Sequence, residues 1–501
     1  MTSPSASSSP RRPSNLERLL SLFAEVRPGE GVVVLTMFLN IFLILSSYYI
    51  LKPIRDGLIV GGIELEIGSA VIEGDELKSY LAAFMAFLLI PFVRGYGALA
   101  SSVARLRLLN IPRVFVVLGI FTFFDPAYFF TVQGVAIAIA YFTWLGIINV
   151  FVIAQFWSYA NDIYTQKKGK RLFPLIALGM ASGGYFGSTF ARAYGEQYMF
   201  LLMVLAALGF GASQALFNYT NRRIDRIGTG GVEEETGGQA EQEPLSKEGG
   251  FQLVFRSRYL LLIAVMILLA NLVNTTGEFL LGNAAKIGSV EQYPSHMYTE
   301  RWVAEVEAGN AELPPGENEP VVIADEGERT QRLKRAQKGY GTAFFGSFYA
   351  KVNLFVLLLQ ALFVSRVFKF IGIRGALFVL PLIALLGNFM IAIIGSIMVL
   401  RFSKIAENST DYSLQNTLKQ ALFLPTSREE KYKAKQAIDT FFVRVGDALS
   451  GALVLVGIHV LHFGRSSFAG VNVALAVVWI AVCVGIFREH KKLVPDDTVV
   501  D

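Results

Sequence analysis

Lys52, Arg55 and Asp56 arrive together in the stretch SYYILKPIRDGL (47–58), at the end of an uncharged run, 31–51. Tyr48, Lys52 and Arg55 are spaced i, i+4 and i+7, so a helix carries them on one face. Pro53 removes one backbone hydrogen bond there, and Asp56 can pair with Arg55. One reading aims this face at a solute; the plainer one is an interfacial anchor with Lys52 snorkelling to water. A second set lies in RFSKIAENSTDYSLQNTLKQ (401–420), where Lys404, Asn408, Asp411, Gln415 and Lys419 form a helical stripe with Glu407 beside it. A lipid-facing helix does not tolerate such a stripe. It lines a cavity, or it is an internal network in which Lys404 and Glu407 neutralise each other. A third set is Asp439, Arg444 and Asp447 in AIDTFFVRVGD; a fourth is Asn271, Asn274 and Glu278 in NLVNTTGEF; Lys351 stands alone in GSFYAKVN. Trp157, Asn161 and Asp162 end another apolar run and suit a gate.

Lys52, Arg55, Lys351, Lys404 and Arg444 come from distant parts of the chain. Around one cavity they would suit an anionic solute, because Arg grips phosphate oxygens as a planar fork and Lys acts as a point charge. Tyr48 and Trp157 could stack on a planar ring, and Asn274 could bind beside them. The acids Asp56, Glu278, Glu407, Asp411, Asp439 and Asp447 could hold the cations when the site is empty, or carry a coupling proton. No metal-ligand spacing and no phosphate-binding glycine loop is present. The four histidines, His296, His459, His462 and His490, form no catalytic set. Neither an enzyme nor a cofactor nor a nucleic-acid partner is expected.

These residues must be positioned by membrane helices. The 501-residue chain is 53% hydrophobic and 17% charged, with mean hydropathy +0.48; soluble chains carry about 25% charged residues. The deficit is concentrated in blocks such as 198–218, 259–277, 375–400 and 466–487, which contain no Asp, Glu, Lys or Arg. Each is about the 20 residues that a bilayer-crossing helix needs. The expected fold is all-α and polytopic, with twelve spans: 31–52, 77–97, 114–132, 135–160, 172–194, 198–219, 257–281, 341–365, 375–393, 395–422, 436–462 and 466–487. Lys and Arg gather in alternate short loops and both tails, which puts both termini in the cytoplasm. The expected units are a tail 1–30, a six-helix half 31–219, a linker 220–256, a second half 257–490 and a tail 491–501. An insertion, 283–338, lies on the opposite side and is a candidate lid or protein-partner site. Gly179, Gly183 and Gly187 bare one helix face for close packing. FWSYANDIY (156–164), followed by a basic loop and KRLFPLIALGMASGGYFGS (170–188), is weakly repeated by DYSLQNTLKQ (411–420), a basic loop and KAKQAIDTFFVRVGDALSG (433–451). Two similar halves match the major facilitator plan, with the substrate site between them.

YYILKPIRDGL, FWSYANDIYTQKKGKRLFPLIALG, NTTGEF and KAKQAIDTFFVRVGD together resemble the nucleotide transporter family, the ATP:ADP antiporters, over about 31–490. The resemblance implies a major facilitator-like fold, exchange of ATP for ADP, and a substrate role for Lys52. Members that exchange ATP for ADP carry an acid within span four, where this chain has WLGIINVFVIAQ. They also carry an acid where Asn274 stands and a lysine where Asp447 stands. The function expected is secondary transport of a nucleotide or related phosphorylated anion by alternating access, as a monomeric unit in the inner cell membrane. The alternatives are a proton-coupled carrier of another, lipid-like solute, or a membrane sensor or scaffold.

Overall fold

In the computed structural model the described residues are 13–21, 25–61, 63–67, 70–102, 119, 123, 134–164, 166–228, 250–427, 430 and 434–494. Side chains at 66, 67, 70, 90–102, 154, 158, 161, 162, 166, 167, 169, 170, 225–228, 250 and 365 are outside this set. The expected span 114–132 except Gly119 and Phe123, most of the linker, and the side chains of Asn161 and Asp162 therefore fall outside the described residues.

The described residues are helical nearly throughout. After a short capped helix α1 (Asn15–Leu20), the first half runs α2 (Gly31–Val60), α3 (Gly74–Ser102), α4 (Gly134–Ile163), α5 (Gln166–Tyr194) and α6 (Met199–Gly228). A two-stranded antiparallel hairpin, β1 (Glu64–Ile67) and β2 (Ala70–Glu73), joins α2 to α3 and pairs Glu64 with Glu73. The second half runs α7 (Gly250–Arg256), α8 (Arg258–Gln292), α9 (Glu300–Glu307), α10 (Glu326–Leu362), α11 (Val364–Ala376), α12 (Val379–Ile394) and α13 (Ile397–Thr410). It ends with α14 (Asn416–Leu422), α15 (Lys435–His459) and α16 (Arg465–Leu493). Among the described residues seven helices are long and apolar enough to cross a bilayer, and α11 with α12 makes an eighth such element bent by 78°.

α2 runs through Pro53 to Val60, eight residues past the expected end. α8 and α10 likewise extend beyond their apolar cores, so the insertion is mostly helix. Between them α9, Tyr298 and Ile323 close over a small core with Tyr293, Met297, Trp302 and Ala336. Its occupants hold the loop by hydrogen bonds: Ile323 N donates to Tyr298 O at 2.9 Å and Tyr298 Oη to Glu317 Oε1 at 2.7 Å. The loop rests on the turn after α5, where Tyr293 Oη donates to Glu196 Oε1 at 2.5 Å.

Each half has its own apolar core, and a third cluster lies between α2, α8, α10 and α15. The glycine face of α5 packs on the α2 backbone. A Cβ at Gly179 would lie 2.7 Å from Phe38 O, and at Gly183 and Gly187 closer still to the backbone of Phe42 and Ser46. Ser46 Oγ donates to Gly183 O at 3.2 Å, which closes this contact. The halves meet along two seams, α10 against α2 and α5, and α15 against α3.

Asp411–Gln415, between α13 and α14, and Ile438–Phe442, inside α15, are π-helical. Such turns widen a helix by one residue and recur at functional sites.

Candidate functional site

α2 starts and α16 ends on one side of the bundle, here the terminal side; the hairpin and insertion lie on the far side. Between the halves is a cavity of about 550 Å3, with Lys52, Tyr48 and Tyr49 of α2 on its wall. Trp157 and Asn149 of α4 face it, as do Asn353 of α10, Asp411, and Lys419 of α14. The volume falls within the usual range for small-molecule sites, about 300–1,000 Å3.

Lys52 Nζ stands 3.9 Å from the ring centroid of Tyr349 and 5.5 Å from that of Tyr49. Both are cation–π distances. Among the described residues no carboxylate lies within ion-pair distance of it. Asp411 Oδ1 and Lys419 Nζ form a loose pair across the π turn at 3.7 Å. Trp157 is held edge-on by Phe156 and Phe173.

On the far side of the cavity the halves are tied by buried charge. Arg55 Nη2 donates to Asp56 Oδ1 at 2.7 Å, and its guanidinium covers Phe142 at 4.4 Å. Tyr349 Oη of the other half donates to Asp56 Oδ2 at 2.8 Å. Lys78 of α3 lies 3.5 Å from Asp56 Oδ2 and 3.7 Å from Glu278 Oε2 of α8. Asn408 Nδ2 donates to Glu278 Oε1 at 2.9 Å. Next to it Lys404 Nζ reaches Glu407 Oε1 at 3.0 Å and Asn274 Oδ1 at 2.8 Å. His459 and Glu76 meet across the α3–α15 seam at 3.1 Å, and Asn283 donates to Asp75 Oδ2 at 2.9 Å.

The sequence suggested a cavity ringed by Lys52, Arg55, Lys351, Lys404 and Arg444. Of these five, only Lys52 is on the cavity wall. Arg55 and Lys404 are buried in pairs with Asp56 and Glu407. Arg444 Nη1 binds Asp447 Oδ2 at 3.0 Å, and Asp447 Oδ1 accepts from Asn271 at 2.6 Å and Thr275 at 3.0 Å. The reason is local: each of these cations has an acid one or three residues along its own helix, and a buried charge left unpaired is costly. Lys351 is exposed on the outer face of α10. Asp439 pairs with Lys435 at 3.0 Å near the terminal side, away from Asp447. The stripe on α13 and α14 thus divides: Lys404, Glu407 and Asn408 belong to the internal network, while Asp411 and Lys419 face the cavity. Lys78 and Tyr349 were not singled out in the sequence. Lys78 falls at the edge of an expected span, where lysines commonly serve as anchors.

A cavity between two helical halves, bounded on the far side by cross-half ion pairs, belongs to a polytopic helical membrane protein with a major facilitator-like fold. Solved structures agree in fold. A POT family transporter in complex with a thioalcohol conjugated peptide superposes with TM-score 0.58 at 14% identity, over 92% of this chain and 96% of its own. The peptide transporter POT in complex with sulfate gives 0.57 at 13% identity, over 95% and 99%. The chain belongs to the TLC ATP/ADP transporter family, whose sequence profile matches residues 138–295 and 347–494, more than half of its length. No curated protein matches it in sequence.

Proposed function

We propose that this multi-pass transporter carries a nucleotide or a related phosphorylated anion by alternating access, through twelve spans in two six-helix halves. Both termini lie in the cytoplasm and the protein sits in the inner cell membrane. On this reading the terminal side is cytoplasmic, and the far-side ion pairs hold the outer side shut in an inward-facing state. The observation that carries this reading is Lys52: a lysine on the cavity wall, faced by aromatic rings and, among the described residues, with no carboxylate in ion-pair reach. An anionic group of the solute would complete its pairing. Tyr48, Tyr49 and Trp157 line the same space and offer rings on which a base could stack; such aromatic contacts contribute about 0.5–1.5 kcal/mol beyond area burial. Opening of the outer side requires Lys78 to leave Glu278 and Tyr349 to leave Asp56.

The test is uptake of radiolabelled ATP into proteoliposomes, with and without internal ADP. Stimulation by internal ADP, lost in Lys52→Gln, supports nucleotide exchange. Uptake of no phosphorylated solute by folded protein refutes it. A second reading, proton-coupled transport of another solute, is favoured by one observation: Asp411 stands on the cavity wall with only a loose lysine partner. Uptake driven by a pH gradient and abolished in Asp411→Asn, without stimulation by internal nucleotide, would select it.

A further inference from the structure

A second cavity, of about 360 Å3, lies on the far side between the insertion, the turn after α5, and the outer turns of α10 and α13. Its two ends differ in charge. At one end is Arg401, whose guanidinium covers the Phe344 ring at 4.4 Å and donates to Ser347 Oγ at 3.2 Å. At the other are Glu196 and Glu312, which accept only neutral donors, Tyr293 Oη and Gln292 Nε2 at 3.1 Å. Among the described residues none of these three charged groups has an oppositely charged partner within ion-pair distance. A cation and two carboxylates that share one cavity without pairing are arranged for a ligand that carries both signs.

The cationic end extends beyond Arg401. The α5 backbone at Arg192 packs directly on Gly346, the neighbour of Ser347, and Lys351 follows Ser347 by one helical turn. Arg192 and Lys351 are exposed, and among the described residues neither has a carboxylate within ion-pair distance. Around this end the surface is apolar. Met398 and Phe402, each 68% exposed, flank Arg401 on α13, and Phe355, Leu358 and Leu362 continue the face of Lys351 toward the middle of the bundle. The acid end is different: Glu312 lies on the insertion loop and Glu196 on a turn, both beyond the helix ends. The anion-binding groups thus lie at the depth of the apolar helix surface, and the cation-binding groups lie above it.

That order, apolar chains, then an anion, then a cation facing water, is the order of a phosphatidylethanolamine molecule in a leaflet. We propose that this cavity binds the headgroup of such a zwitterionic aminophospholipid from the far-side leaflet. Arg401, helped by Arg192 and Lys351, holds the phosphate, Glu196 and Glu312 hold the ammonium, and the acyl chains follow the exposed face of α10. Arg supplies two parallel donors to phosphate oxygens. Lys351 lies one turn deeper and reaches up to the headgroup as long basic side chains do at bilayer edges.

The experiment titrates the full-length protein in detergent with dihexanoyl-phosphatidylethanolamine, dihexanoyl-phosphatidylglycerol and glycerophosphoethanolamine, and reads binding by native mass spectrometry. The expected result is that the ethanolamine lipid binds about tenfold or more tightly than the glycerol lipid, the difference of one charge-assisted contact, and about tenfold or more tightly than glycerophosphoethanolamine, which keeps the headgroup but has no acyl chains to bury. Arg401→Gln weakens both lipids by about the same factor. Glu312→Gln weakens only the ethanolamine lipid and narrows the preference, and adding Glu196→Gln abolishes it. Glu312 is on an exposed loop, so this variant keeps the fold and decides the matter if the Arg401 variant fails to assemble. Equal binding of the two lipids to the wild type, or no effect of Glu312→Gln, overturns the proposal. Equal binding of glycerophosphoethanolamine also overturns it, because the ligand would then be a soluble zwitterion.

Discussion

Lys78→Gln tests whether buried charge holds the two halves together on the far side. Lys78 Nζ is within 4 Å of both Asp56 and Glu278, and these side chains are only 10%, 0% and 20% exposed, in that order. At an effective dielectric constant near 20, each contact carries about 4–5 kcal/mol of raw Coulomb attraction. Most of this is offset by desolvation, and because neither contact is a hydrogen bond at these distances the net falls below the roughly 3–5 kcal/mol of a close buried pair, at about 1.5–3 kcal/mol. Asp56 keeps Arg55 and Tyr349 when Lys78 is neutralised, so the loss falls on Glu278, which among the described residues keeps the Asn408 hydrogen bond, with Lys404 and Lys52 as more distant charges. Opening the far side rehydrates Glu278, and the closed arrangement loses its advantage. The closed-to-open ratio is therefore expected to fall by about 10- to 100-fold. The assay uses Thr342→Cys, a buried position in the seam where α10 meets Gly57 of α2, and measures its labelling by a membrane-impermeant maleimide from the far side. The native Cys483 is buried in the second half and reports folding by staying unlabelled. Labelling at the wild-type rate in the Lys78→Gln background, with Cys483 protected, would refute the idea that this network holds the closure. Lys78→Arg keeps the charge and should label slowly.

Lys52→Gln should lower transport kcat/KM by about 10- to 100-fold, the loss of one charge-assisted contact, while Lys52→Arg retains part of it; initial uptake rates check both. Lys404→Met should behave as a stability mutation: it strands Glu407 beside Asn274, at about 3–5 kcal/mol for a broken buried pair. Adding Glu407→Gln should recover much of the lost melting temperature, whereas equal or additive losses would remove the pair from the account. Gly183→Val should prevent accumulation of folded protein, because its Cβ would strike the Phe42 backbone, which cannot move as a side chain can; overpacking of this kind costs about 3 kcal/mol or more. Size-exclusion profiles of detergent extracts check it.

The seven membrane-length helices among the described residues were legible because apolar blocks announce themselves, but their ends were not. α2 continues through Pro53 to Val60, α8 to Gln292, and α10 begins at Glu326. In α8 and α10 the extensions are rich in polar residues, which carry no hydropathy signal, and in α2 the charges at 52, 55 and 56 mask the buried apolar turn, Gly57–Val60, that follows them. The pairs Arg55–Asp56, Lys404–Glu407 and Arg444–Asp447 are close in sequence, so the tendency to pair could be read locally. Which cation is left over could not. Lys52 has Asp56 four residues on, and the helical pairing rule would join them. Asp56 is instead occupied by Arg55, by Lys78 from α3 and by Tyr349 from the other half. Only the packing of α3 and α10 against α2 reveals that Lys52 has lost its local partner.

This competition for Asp56 suggests why the unpaired cation and the closure lie one helical turn apart. In the far-side network each cation has an acid: Arg55 with Asp56, Lys78 shared with Glu278, Lys404 with Glu407. Below it, Asp411 and Lys419 offset each other, and Lys52 is the surplus positive charge. On the proposed reading, an anionic solute arriving at Lys52 brings negative charge to within a turn of Asp56. It also competes with Tyr349, whose ring covers Lys52 and whose hydroxyl holds Asp56. Binding therefore weakens a cross-half contact through the same side chain that shields the binding cation. Tyr349→Phe separates the two roles: it keeps the ring over Lys52 and removes the hydroxyl. Solute affinity should persist in that variant while the far side opens without solute, and a far side that stays closed would mean that Lys78 alone holds it.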